Sequence, residues 1–127
     1  MSKKIIKTNR APLPIGPYNQ AVVIGNLLYA SGQIPIDMKT SSVIEGGVTE
    51  QTKQVLEYVK AILEDAGTSL KNVVKATVFL KNMNDFQYMN AVYAQYFDPA
   101  TAPARSTIEV ARLPKDVLIE IEVVAAL

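Results

Sequence analysis

Neither cysteine nor histidine occurs anywhere in the 127 residues. Without Cys there is no disulfide framework, no thiolate nucleophile, no zinc finger and no iron–sulfur site. Without His the chain lacks the commonest general base near neutral pH and the commonest transition-metal ligand. An excess of one charge is missing too. Thirteen Lys plus Arg stand against twelve Asp plus Glu, a net charge of +1 that gives no field to steer nucleic acid, acidic membranes or polyanions. The longest apolar stretches, such as Val123 to Leu127, are far too short to cross a bilayer. The basic start MSKKIIKTNRAPLP lacks the apolar core of a secretory signal, so the expectation is a soluble, cytoplasmic protein. Any chemistry must come from Arg, Lys, carboxylates, hydroxyls and the backbone.

Hydrophobic residues make up 49% of the chain, and one domain over residues 1–127 can hide roughly two thirds of its unfolded surface. Repeats, low-complexity tracts and internal linkers are absent from the sequence. Ile5 to Lys7 is a short strand candidate. Pro12, Pro14, Gly16 and Pro17 then impose irregular backbone. Val22–Ile24 and Leu27–Ala30 flank Gly25-Asn26, a two-residue hairpin signal. A second irregular stretch runs from Gly32 to about Gly47. From Thr49 to Ala66, Val55, Leu56, Val59, Ile62, Leu63 and Ala66 form one helical stripe closed by Gly67. A second helix is expected from about Asn84 to Phe97, with Phe86, Met89, Tyr93, Tyr96 and Phe97 on one side. Asn84 and Gln87 have capping-box spacing there, and Pro99 ends the segment. Val73 to Leu80, Arg105 to Ala111 and Val117 to Ala126 read as strands. The order β-β-α-β-α-β-β predicts an α+β domain, a mostly antiparallel sheet with both helices on one face.

In the last strand Val117, Ile119, Ile121 and Val123 are β-branched and apolar, which assigns them to the core. Leu118, Glu120, Glu122 and Val124 then take the other face. In the strand before it, Ser106, Ile108 and Val110 share one face and Arg105, Thr107 and Glu109 the other. If the two strands form a hairpin and Ile108 and Val110 face the core, then Arg105, Thr107, Glu109, Glu120 and Glu122 line a single surface. Two interpretations fit such a surface. One is the solvated outer face of an antiparallel sheet. The other is an oligomer interface with a pocket, where Arg forks onto a small carboxylate and an enclosed Glu moves protons near neutrality. Gly46-Gly47 lacks the context of a phosphate loop, and Asp85, Asp98 and Asp116 lack calcium-loop spacing. Lys81 and Lys115 fit solvated turns as well as reactive amines. Tyr18 stands apart from the other tyrosines because it lies in the Pro/Gly loop.

The run Pro103-Ala104-Arg105-Ser106-Thr107-Ile108-Glu109-Val110-Ala111-Arg112-Leu113-Pro114-Lys115-Asp116, continuing to Ile119-Glu120-Ile121-Glu122, closely resembles the C-terminal signature of the RidA/YjgF family. So do Ile15-Gly16-Pro17-Tyr18, Ser31-Gly32-Gln33-Ile34-Pro35, Asn84-Asp85-Phe86 and Asn90-Ala91-Val92-Tyr93. These blocks follow the family's order and spacing over nearly the whole chain. The resemblance implies a chorismate-mutase-like fold of the Bacillus type, assembled as a homotrimer around a central barrel with binding clefts between subunits. It also implies hydrolysis of 2-iminobutanoate and 2-iminopropanoate to 2-oxo acids and ammonia. No cofactor, metal, nucleic acid or membrane partner is implied. Carried over by position, Arg105 binds the substrate carboxylate and Glu120 handles water and protons. Tyr18, Ser31, Gly32 and Asn90 line the cleft. Thr107 departs from the Cys that many members carry; a role through its backbone carbonyl, orienting water, tolerates the change. The alternatives are a non-enzymatic regulatory trimer that binds small carboxylates and an endoribonuclease or translation inhibitor. The missing His and the low charge weigh against the nuclease.

Overall fold

Gly25, at φ +59°, closes the first hairpin as a type II′ turn, the geometry that matches the twist of the strands it joins. This computed structural model describes residues 2–127. The hairpin strands are β2 (Ala21–Ile24) and β3 (Leu27–Ala30), and Lys4–Ile6 adds β1 at the edge beside β2. There follow α1 (Val48–Asp65), β4 (Val73–Leu80), α2 (Phe86–Tyr96), β5 (Ala104–Glu109) and β6 (Ile119–Ala126). They make one six-stranded sheet in the order β1-β2-β3-β6-β4-β5. All pairings are antiparallel except β4 with β5, which α2 connects as a crossover. The α+β expectation holds, with β1 as an additional strand.

Both helices cover the same face of the sheet. Val55, Leu56, Val59, Ile62 and Leu63 of α1 pack with Met89 and Tyr93 of α2 onto Leu28, Ala76, Val78, Leu80, Ile119, Ile121 and Val123. The stripe over 49–66 therefore does what its spacing requires. At its start Glu50 Oε1 accepts from the Gly47 N–H at 2.8 Å, and Gly67 ends it at φ +89°. The entry to α2 differs from expectation. Asn82 accepts from the Asn84 N–H at 2.9 Å and caps a short 3-10 turn over Met83–Asp85, from which α2 grows without the Asn84–Gln87 box.

The last two strands are not a hairpin. β6 runs between β3 and β4, the most enclosed position in the sheet, and β5 is the far edge strand with β4 between them. Each strand's hydrophobicity explains this. β6 is fully buried at Ile119, Ile121, Val123 and Ala125, whereas β5 is mixed on both faces and suits an edge. Residues 110–118 carry the chain across, through a 3-10 turn at Pro114–Asp116 in which Lys115 and Asp116 both have positive φ.

Candidate active site

Register fixes which way each candidate points. In β5, Arg105, Thr107 and Glu109 pair with Ala76, Val78 and Leu80, whose side chains face the helices. Ser106 and Ile108 pair with Thr77 and Phe79 on the open face, where Glu120 and Glu122 also lie opposite Phe79 and Thr77. Arg105 and Glu120 of one chain are therefore on opposite sides of the sheet, and the single five-residue surface expected from the sequence does not form. Hydrophobicity misassigned the phase of β5. The helix layer runs out above this edge, so polar groups fit on the inner side, while Ile108 is turned outward with 43% exposure.

On the helix side, Arg105 is half-buried. Its guanidinium carbon lies 4.6 Å from the centroid of the Tyr93 ring and 5.5 Å from that of Phe86. Nη1 donates to Asn90 Oδ1 at 2.8 Å, and no carboxylate among the described residues pairs with the cation. Phe86, Asn90 and Tyr93 are spaced i, i+4, i+7 on α2, so one helix face presents two rings and an amide to the arginine. Stacking and one hydrogen bond fix the fork and leave most of its donors available for an anion. Glu109 Oε1 accepts from the Met83 N–H at 2.8 Å, tying β5 to the turn that starts α2. Of the sequence-assigned residues, this side holds Arg105, Asn90 and Thr107. The helix stripe assigns Tyr93 and Phe86 to packing, and their spacing from Asn90 is the signal that they also face the arginine.

Glu120 gathers the second group. Its carboxyl lies against Gly32 so closely that a Cβ there would sit 2.0 Å from Oε2, which makes the glycine a requirement of close approach. No hydrogen bond or ion pair engages the Glu120 carboxyl among the described residues. Burial, and then the charge of Glu122, pushes its carboxyl above the usual range. Gly32 and the half-exposed Tyr18 also line a cleft of about 370 Å³ with Leu13, Ile34, Met38 and Lys115. Ser31 donates from its hydroxyl to the Asn19 carbonyl at 2.6 Å and from its N–H to that of Gln20 at 2.9 Å, which holds the Tyr18 segment beside Gly32. Lys115 reaches across to the Ser41 carbonyl at 2.9 Å, whereas Lys81 donates to the Ala111 carbonyl at 2.6 Å and takes no part.

One chain thus carries an arginine without a carboxylate partner among the described residues and a half-buried glutamate, separated by the sheet. A family profile described as Endoribonuclease L-PSP matches residues 8–127. A RutC family protein of Pyrococcus abyssi is 56% identical over 98% of each chain. The 2-iminobutanoate/2-iminopropanoate deaminase of Salmonella typhimurium is 54% identical over 96% of each. Among solved structures, Escherichia coli TdcF with bound serine superposes with a TM-score of 0.90 at 48% identity, covering 98% of each chain. The E. coli YjgF gene product gives a TM-score of 0.89 at 51% identity, covering 97% of this chain and 98% of that one.

Proposed function

Because the chain belongs to the RidA/YjgF family, whose profile carries the endoribonuclease L-PSP description, we propose that it hydrolyses 2-imino acids to 2-oxo acids and ammonia. The site would be completed between copies of the chain. The observation that carries this is Arg105: a half-buried guanidinium, oriented by Asn90 and Tyr93, with no carboxylate among the described residues to neutralise it. A small carboxylate is the natural counterion, held through two parallel hydrogen bonds. The serine in E. coli TdcF supports a ligand of that class. Glu120 of a second copy, its carboxyl raised above the usual range by burial and then by Glu122, supplies the proton acceptor.

The iminium carbon is already electrophilic, so positioning and proton transfer suffice. Water adds to C2 as Glu120 takes its proton. Glu120 then protonates the nitrogen, the C–N bond breaks with its electron pair leaving on ammonia, and the remaining hydroxyl loses its proton to give the 2-oxo acid. The exposed Ile5, Ile24, Tyr29 and Ile108 are apolar groups on the open sheet face, suited to cover by further copies in the homotrimer that the family implies. Low net charge and the absence of His do not suit RNA cleavage. A cytoplasmic setting is what the family resemblance implies; separately, no described helix is long and apolar enough to cross a membrane.

Complementation tests the proposal. Arg105→Ala and Glu120→Gln, each assembled alone, should lose acceleration of 2-iminobutanoate hydrolysis. Co-assembled at equal ratio they should recover about a quarter of wild-type activity, because random pairing restores one intact site in four. A mixture as inactive as its parents, or a fully active Arg105→Ala protein, overturns it. Binding of 2-oxobutanoate without any turnover of the imine would instead establish a non-enzymatic carboxylate binder.

A further inference from the structure

A carboxylate in the last turn of a helix lies at the negative end of its dipole, where Lys or Arg is the stabilising choice. Helix α1 nevertheless ends on Glu64 and Asp65, with no basic residue in that turn. Their partners come from the N-terminal segment. Arg10 Nη2 donates to Glu64 Oε1 at 2.8 Å, and Nη1 donates to Asp65 Oδ1 at 2.9 Å. The Thr8 hydroxyl donates to Asp65 Oδ2, while Thr8 Oγ1 accepts from the Arg10 N–H at 3.1 Å. The Thr8 hydroxyl, and then Arg10, hold the Asp65 carboxyl below the usual range, so it is charged at neutral pH. Thr8 is buried, and Gln20 engages its backbone N–H and carbonyl. One residue thus ties the end of α1 to the base of the Pro/Gly loop.

Between Leu13 and Tyr18 the backbone makes one hydrogen bond among the described residues, from the Tyr18 N–H to the Gly16 carbonyl at 2.8 Å. The stretch is therefore held by its ends. Leu13, Pro14, Ile15 and Tyr18 from it line the cleft with Gly32, against which the Glu120 carboxyl lies. We propose that Asp65, seconded by Glu64, is a positioning residue for this cleft: by anchoring Thr8 and Arg10 it fixes where the loop delivers Leu13 and Tyr18 to the ligand. This rests on the reading of the cleft as part of the imino-acid site. A residue serving only the helix would carry the opposite charge. Exposed ion pairs of this kind add little to global stability. A loop displaced by about 1 Å, in contrast, is felt at the ligand.

The expected signature is loosened binding without damaged chemistry. Asp65→Asn and Arg10→Ala, in the assembled protein, should each speed amide hydrogen exchange in peptides spanning residues 9–19. Each should raise KM for 2-iminobutanoate about fivefold and weaken 2-oxobutanoate binding similarly, with kcat little changed. Combined, they should cost about the same fivefold and not its square, because either change alone breaks the anchor. Arg10→Lys keeps the charge and should recover part of the affinity. Faster exchange and a lower melting temperature with KM and affinity unchanged would make the network merely structural and overturn the proposal. Unchanged exchange, or effects that multiply in the double variant, would overturn it too. A wild-type protein that fails to hydrolyse 2-iminobutanoate instead removes the proposed function, and the 2-oxobutanoate titration then decides the anchor. If the wild type binds neither compound, both fall.

Discussion

Glu120 sits half-buried against a glycine with a second carboxylate two residues away, and both circumstances disfavour its charge. As the proposed proton acceptor it must be ionised, so kcat/KM should fall as pH drops through its raised pKa. Glu122→Gln removes the second cause and should move that acid limb to lower pH; a pH–rate profile with an unmoved or higher limb would reject the coupling. The linkage has the matching sign. Between the unfolded and the raised folded pKa the folded state binds more protons, so stability falls as pH rises through that interval. Glu120→Gln escapes this loss and should melt higher than wild type at neutral pH while losing activity. Arg105, Asn90, Gly32 and Glu120 were identifiable from motif blocks. The contact of the Tyr93 ring with Arg105 was not, because a tyrosine on an apolar helix stripe reads first as core packing.

At the scale of elements, the Pro/Gly stretch before β2 was legible as irregular backbone, and its fastening was not. Gln20 is buried, and its Oε1 accepts from the Thr8 N–H at 2.7 Å. Its Nε2 is shared among the carbonyls of Thr8, Ala11 and Pro12 at 3.0, 3.2 and 2.9 Å. One amide thus closes the loop that delivers Tyr18 to the cleft. Gln20→Leu keeps the volume but strands these backbone groups, and should cost about 2–4 kcal/mol in urea unfolding. KM should rise as Tyr18 loses its place; a stability change under ~0.5 kcal/mol would mean water replaces the amide. Helices α1 and α2 were readable because a 3.6-residue stripe is local. The start of α2 shifted because Asn82, not Asn84, has the extended backbone from which a side chain can cap.

At the scale of the molecule, the sheet has one face sealed by helices and one bearing Ile24, Tyr29 and Ile108 beside Glu120 and Glu122. Ile108→Lys places a charge on that open face of the edge strand, away from the core. If the proposed assembly and activity hold, sedimentation should show dissociation, with helix content retained by circular dichroism and imine hydrolysis lost. Intact assembly with normal activity would exclude this face as the covered one.

Local periodicity and composition, by themselves, determined the helices, the first hairpin, the central hydrophobicity of β6 and a chemistry confined to Arg, Lys, carboxylates, hydroxyls and the backbone. These depend on neighbours within a few residues along the chain. The order of strands was settled only in three dimensions, since the segment joining β5 to β6 is compatible with a hairpin or with a crossing over β4. Inserting β4 between them, parallel to β5, reversed the face assigned to Arg105. It left the guanidinium and the glutamate on opposite sides of one sheet. Side-chain alternation fixes which residues travel together, but the face they occupy follows from register against strands far away in sequence.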